Sequence, residues 1–336
     1  AVRAGREAIA TWQRLGNLLR EGEGLGRLAV HLVNAGRNAE AEDACNAALA
    51  LLETLPPGPQ LALAYRTRAG LRMLDREIDD ALAWGHKAVA LAERFQVPET
   101  LSGAYIVIGS ALLVTDDVAG RAYLERGGAL AREAGIDGLV ALSYANPGSW
   151  FAEQYRLALA DRYLDVGIAY CTERDMDHNA LYMVAWQALC RLYQGRWPEA
   201  IERATRVTQR PTSAAISRII ASVALGRVRA RRGEPGAMPA LDEALALATP
   251  TAALQRLAPV RAARAEAAAL AGDRAGMRHE ARAAFDRAAH LGHTWFMDEL
   301  GYWLWRAGES VALPASTATP FALQVAGDWA GAAAAW

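Results

Sequence analysis

Seven times along the chain, a small or aliphatic residue is followed four and seven positions later by others that are small or aliphatic. The series are Ala41–Cys45–Ala48, Ala81–Gly85–Ala88, Gly120–Leu124–Gly127, Ala160–Leu164–Gly167, Ala200–Ala204–Val207, Ala240–Ala244–Leu247 and Met277–Ala281–Ala284. Spacings of four and seven lie on one face of a helix. Successive starts are 40, 39, 40, 40, 40 and 37 residues apart. A nearly constant period of that size means stacked copies of one supersecondary unit.

Each series marks the second helix of a pair, and the stretch before it carries the first. The pattern predicts pairs over roughly 17–35 and 38–54, 60–74 and 77–95, 99–114 and 118–134, 178–194 and 197–209, 212–232 and 237–248, and 252–271 and 273–291. The turns have their own chemistry. Gly195 ends one helix and Pro198 sits in the opening turn of the next, where its missing N–H costs nothing. Asp116 is placed to cap the helix that follows it. Pro56-Pro57-Gly58-Pro59 breaks the chain between pairs. The fourth pair is less regular. Its second helix reads over 157–173, but Asn146-Pro147-Gly148 falls inside its first, where a proline removes a hydrogen bond and crowds the preceding turn. A kink, a break or a short loop is expected there.

The ends differ from the middle. Ala4, Ala8, Trp12 and Leu15 share a face, as in a second helix lacking its first. After Gly292 a helix rich in tryptophan runs to Gly308; 309–320 reads as a loop, and a short helix over 320–326 follows. The expected organisation is a repeat array over 1–308 and a loop with further helices of the same array over 309–336. Neither end carries the polar cap such arrays need, which points to a piece of a longer protein. Alternating strand patterns with hairpin turns are lacking. The expected fold is all-α: a right-handed superhelical solenoid of seven to eight helix pairs.

The second-helix pattern resembles the tetratricopeptide repeat (TPR), with the turn from Gly195 to Ala200 matching that family's turn well. The period near 40 is longer than the family's 34. A second resemblance covers the whole chain. Leu241-Asp242-Glu243-Ala244-Leu245, Leu254 to Val260, Ala263-Arg264-Ala265-Glu266, Trp303 to Gly308 and Gln324 to Trp329 are similar to the helical-repeat region of large ATP-binding bacterial regulators of the LuxR type, the MalT-like class. That resemblance implies a TPR-like sensor scaffold in the cytoplasm, flanked by an ATPase module and a helix-turn-helix DNA-binding module, acting in transcription control. Regulatory ATPases fused to cyclase domains carry similar repeats, so the effector domain stays open.

Charge narrows the partners. Acidic and basic residues number 37 and 36, for a net charge of −1, which supplies no general attraction to nucleic acid or an anionic membrane. Lys87 is the sole lysine, and it lies in a helix face rather than after a glycine-rich turn, so no phosphate-binding loop is present. Three scattered cysteines, Cys45, Cys171 and Cys190, argue against a disulfide framework and for a reducing compartment. No uninterrupted apolar run is long enough to span a membrane. Cys171 with Asp175 and His178 straddles a turn, and Asp286, His290 and His293 lack a fourth ligand, so neither a catalytic nor a metal site is expected. No cofactor is implied, and the chain reads as a non-enzyme.

The candidate ligand-binding residues lie on first helices, which line the concave face of such arrays. They are Tyr105, Tyr144, Asn146, Trp150, Tyr182 and Trp186, with Arg66 and Arg229 adding charge from neighbouring repeats. Tyr and Trp carry polar handles used at interfaces. The same aromatics also fit as fillers between long helices. The expected partner is a protein or peptide, or a small-molecule effector, in that groove. The alternative is a free-standing adaptor for protein or peptide partners.

Overall fold

The computed structural model describes residues 1–313 and 320–336. Among them the chain forms eighteen α-helices, one short 3-10 turn and no strand. In order these are α1 (Val2–Arg14), α2 (Leu18–Asn34), α3 (Asn38–Leu52), α4 (Pro59–Asp75), α5 (Ile78–Arg94), α6 (Pro98–Leu112), α7 (Asp117–Glu133), α8 (Asp137–Glu153) and α9 (Leu157–Thr172). There follow α10 (Asp177–Tyr193), α11 (Trp197–Thr208), α12 (Ala215–Arg232), α13 (Ala237–Ala248), α14 (Leu254–Leu270), α15 (Arg274–His290), α16 (Thr294–Arg306), α17 (Pro320–Val325) and α18 (Trp329–Ala335). The alternation of first and second helices matches the periodicity of the sequence. The fold is an all-α, TPR-like solenoid. The loop expected over 309–320 falls partly outside the described residues.

Two compact units make up the chain: Ala1–Trp150 with Leu159–Met183, and Phe151–Ala158 with Val184–Trp336. In the first, α2, α4 and α6 lie side by side as one layer, and α3, α5 and α7 pack against them as a second. The repeating series faces this interior. Its members are buried throughout both units apart from Leu247, which is half-buried. Small residues there let helices approach closely. A Cβ on Gly120 would stand 2.9 Å from the carbonyl oxygen of Gly109, so α6 and α7 touch backbone to backbone. Around these contacts, aliphatic side chains such as Leu28, Leu32, Leu49, Leu52, Leu61 and Leu71 fill the first unit's core. Burying each contributes about 1.5–3 kcal/mol.

Local signals end the helices where expected. Gly195 takes φ +74° after α10. The Asp116 carboxylate accepts the Ala119 amide at 3.0 Å at the start of α7. Asn17 and Asp273 cap α2 and α15 in the same way.

The break or short loop expected at Asn146-Pro147-Gly148 does not occur. Helix α8 runs through it, with Pro147 inside. The proline costs about 3 kcal/mol. Packing offsets it: Val140, Ala141, Ala145 and Trp150 are buried on the same helix, and Leu164 of α9 fills the space a Cβ of Gly148 would take. No broken backbone is exposed there for a ligand to use.

In the second unit, α12 packs against α11, α13 and α14, and α14 packs against α15 and α16. A core of Leu254, Ala258, Phe285, Phe296, Leu300, Tyr302, Trp303 and Leu304 joins the later helices, with Phe321 of α17 added to it.

Candidate functional site

The eight candidate residues divide between the units. Arg66, Tyr105, Tyr144, Asn146, Trp150 and Tyr182 belong to the first, and Trp186 and Arg229 to the second.

Two of the aromatics belong to a repeated latch. The Tyr65 hydroxyl donates to Glu53 at 3.2 Å, and the Tyr105 hydroxyl donates to Glu93 at 3.0 Å. The Tyr144 hydroxyl accepts from Arg132. In every case the partner lies 12 residues earlier, at the end of the preceding second helix. The rings pack on the second-helix layer: Tyr65 on Trp84 at 5.3 Å, Tyr105 on Tyr123 at 5.7 Å, Tyr144 on Tyr170 at 6.3 Å between centroids. A cation covers each cluster, Lys87 over Trp84, Arg126 over Tyr105 and Arg174 over Tyr170. Tyr105 is 2% exposed, and burial, aided by the Glu93 carboxylate, pushes its hydroxyl pKa up. These tyrosines join one repeat to the next.

Trp150 and Trp186 are interior residues, 1% and 0% exposed. The guanidinium of Arg76 lies 3.8 Å above the Trp150 ring. Arg76 occupies a turn where Gly36 and Gly195 stand in other repeats, and it adopts the same left-handed conformation at φ +67°. An arginine is strained there. Its side chain is thereby turned inward, 2% exposed, onto Trp150. Tyr182 is half-buried. Arg229 donates to the Gly236 carbonyl at 3.3 Å, inside the turn of its own helix pair.

Arg66 and Asn146 come together on α6. Arg66 runs from α4 into the seam between α4 and α6, where its guanidinium lies against Gly103. Asn146 lies in the seam between α6 and α8 and donates from Nδ2 to Ser110 Oγ at 3.0 Å. Gly103 and Ser110 are seven residues apart, about 10 Å along one side of the helix. Between them is half-buried Val107, which meets Gly70 of α4. Ser102 and Ile106 of α6 face α7, and Ile108 faces α5. Helical periodicity therefore sets Gly103 and Val107 on the side of α6 that meets α4. Val114, in the turn after α6, and Leu142 of α8 are exposed, Leu63 of α4 is half-buried, and Leu74 and Val107 are half-buried against Met73, Ala81 and Ala111. The result is an open strip of α4, α6 and α8: apolar, with one guanidinium and one carboxamide.

Arg66 is unlike the other arginines of α4. Arg68 is paired with Glu42 and Asn46, and Arg72 with Glu42 and Glu77. Arg66 has neither an ion pair nor a hydrogen bond among the described residues. Burial lowers its pKa; the Glu99 charge offsets this in part, and Arg27 adds repulsion.

Other candidates are otherwise engaged. Cys171 is buried, and burial pushes its thiol up to about 11. Asp286 pairs with Arg282 at 3.0 Å, and His293 Nδ1 caps α16 by accepting the Phe296 amide. No three metal-binding side chains converge among the described residues. No described helix is long and apolar enough to cross a membrane.

Sequence reasoning missed Gly103, Ser110 and Arg76. A signal existed for the first: a mid-helix glycine costs about 1 kcal/mol, so it implies a close approach. For Arg76 the signal was an arginine at a turn position that other repeats give to glycine.

The class defined by these features is the TPR-like helical repeat. No family model matches the sequence, and no curated protein matches it. Solved structures do. The Rap protein complexed with competence and sporulation factor superposes with a TM-score of 0.61 at 15% identity, covering 82% of this chain and 76% of that one. The apo quorum sensor NprR from B. thuringiensis gives 0.52 at 15% identity, over 96% and 91% of the two chains. NprR in complex with its cognate peptide NprX gives 0.50 at 14%, over 84% and 83%. At these identities the likeness is one of fold.

Proposed function

We propose that this chain is a non-catalytic repeat scaffold that holds an extended peptide or protein segment on the open strip of α4, α6 and α8. The observation that carries the reading is the strip itself. There Val114 and Leu142 stand exposed near a carboxamide with hydrogen-bonding capacity to spare. A chain in extended form rises about 3.3 Å per residue, so roughly three peptide residues reach from Gly103 to Ser110. Asn146 is placed to bond such a backbone. Two structures sharing the fold support the reading, since NprR was solved with a peptide and Rap with competence and sporulation factor.

In the regulator arrangement that the sequence resembles, flanking ATPase and DNA-binding modules read the bound state. An adaptor needs only the binding. The full reading frame separates the two. Affinity selection from a synthetic random heptapeptide library, followed by calorimetry on enriched sequences, tests the binding. Enriched peptides are expected to lose affinity about tenfold with Leu142→Glu at unchanged melting temperature, and about tenfold with Asn146→Ala, which also loses its bond to Ser110 and should melt a few degrees lower, about 2–4 °C per kcal/mol. Peptides that bind both variants as well as wild type would place the site elsewhere.

A further inference from the structure

We propose that the second unit holds a binding site for an organic cation, a protonated amine or a guanidine, in a pocket between the end of α8 and helices α10, α14 and α16. All of its lining residues belong to the second unit. It is separate from the strip of the first unit, so the two readings stand or fall independently.

Three observations support it. The first is the lining. Half-buried Tyr155, Tyr193 and Trp295 wall the pocket, and its charged lining residues are two carboxylates, Glu153 and Glu299, 7% and 5% exposed. Aromatic rings beside carboxylates attract cations. Arg227 bonds Glu299 but is shared with Glu266. Burial and then the Glu299 charge, which acts on Tyr155 more strongly than Arg227 does, push the Tyr155 hydroxyl pKa up. The field at this wall is therefore negative. Counted out to its mouth, the pocket encloses about 330 Å³ of empty space, which admits a head group and not a bulky ligand.

The second observation is an excess of hydrogen-bond acceptors. Glu299 accepts from the Tyr155 hydroxyl at 3.1 Å, and Glu153 accepts from Gln255 Nε2 at 3.0 Å. Each carboxylate has about four acceptor sites. Gln255 stands one turn before Pro259 of the lining and is 4% exposed, and its own Oε1 accepts no hydrogen bond among the described residues. A ligand carrying N–H donors complements this set, and a charged N–H donor does so most strongly. The third observation is the backbone of Tyr155. It fills the turn position that Gly36 and Gly195 take in other repeats, at φ +56°. A bulky residue is strained there, and strain of this kind collects at binding sites. The turn thereby sets the tyrosine ring against Tyr193 at 4.8 Å and Trp295 at 6.1 Å between centroids.

Calorimetry on the whole chain at neutral pH tests the site with three probes. Butylamine carries charge and N–H donors, 1-butanol is its neutral counterpart, and tetramethylammonium is a cation without donors. Butylammonium is expected to bind wild type at least about tenfold more tightly than either of the others, the worth of a charged hydrogen bond. Glu153→Gln keeps the shape and an accepting oxygen and removes the charge. It should weaken butylammonium about tenfold and leave 1-butanol unchanged, a selectivity that a purely structural role of Glu153 would not produce. Trp295→Leu should also weaken butylammonium, and melting temperatures recorded without ligand show that each variant folds. If Glu153→Gln does not fold, the wild-type series and Trp295→Leu carry the test. An acetylated, amidated Gly-Lys-Gly peptide presents the same ammonium head: tighter binding of butylamine assigns a free small molecule, and tighter binding of the peptide assigns a side chain. Equal affinity for butylammonium and either other probe would overturn the inference. So would an unchanged affinity in folded Glu153→Gln, or no binding of butylammonium at all.

Discussion

Arg227 in α12 holds the second unit together through charge, and replacing it with methionine measures how much. Its side chain is 2% exposed, and those of its two partners, Glu266 of α14 and Glu299 of α16, are each 7% exposed. Nη1 donates to Glu266 at 2.9 Å and Nη2 to Glu299 at 2.6 Å. Burial alone lowers the Arg227 pKa, but Glu299, Tyr193 and Glu266 outweigh it, so the group stays charged. Methionine fills the volume and leaves both carboxylates. Glu266 retains Arg231, whose Nε lies 2.5 Å away. Among the described residues Glu299 retains only the Tyr155 hydroxyl at 3.1 Å. Most of the penalty therefore falls on Glu299. Removing one partner of a buried pair costs about 3–5 kcal/mol. At about 2–4 °C per kcal/mol, the melting temperature falls by roughly 6–20 °C. Urea unfolding followed by circular dichroism and tryptophan fluorescence reads the change. The double variant Arg227→Met/Glu299→Gln removes the stranded charge and should recover at least half the loss. A single variant within about 1 kcal/mol of wild type would refute the reasoning, because it would mean that water already screens the network. A double variant no better than the single would show that the loss comes from packing.

Two further predictions concern the first unit. Trp150→Ala should lower stability by about 3–5 kcal/mol by denaturant titration, because the ring is 1% exposed beneath Arg76; a loss under 1 kcal/mol would mean that the ring is not part of the core. Cys45 and Cys171 should resist thiol reagents at pH 8 in the folded protein and react after unfolding, because burial holds both thiols at about 11. Their folded pKa lies above the unfolded value, so their contribution to stability is full below about pH 8.5 and is lost as pH rises toward 11. A chain whose stability rises across that range would contradict the assignment.

The sequence alone settled the helices and their pairing. Small residues recurring at four and seven positions define a face, and a period near 40 defines the unit, both being local or repeated signals. Gly195, Pro198 and Asp116 marked helix ends because their backbone chemistry acts on their own turn. What the sequence left open was every question of lateral neighbours. Pro147 reads as a helix breaker, yet packing keeps α8 whole, since tertiary burial outweighs one lost hydrogen bond. Tyr105 and Trp150 carry the composition of a binding surface, but one latches two repeats and the other lies under Arg76. Arg66 looks like any other arginine among the basic residues of the chain. Only the close approach of Gly103 from 37 positions away, and the lack of an ion pair among the described residues, set it apart. A repeat specifies which face of each helix turns inward; which side chains meet across adjacent repeats depends on contacts between residues nearly one period apart, and those are decided by packing in three dimensions.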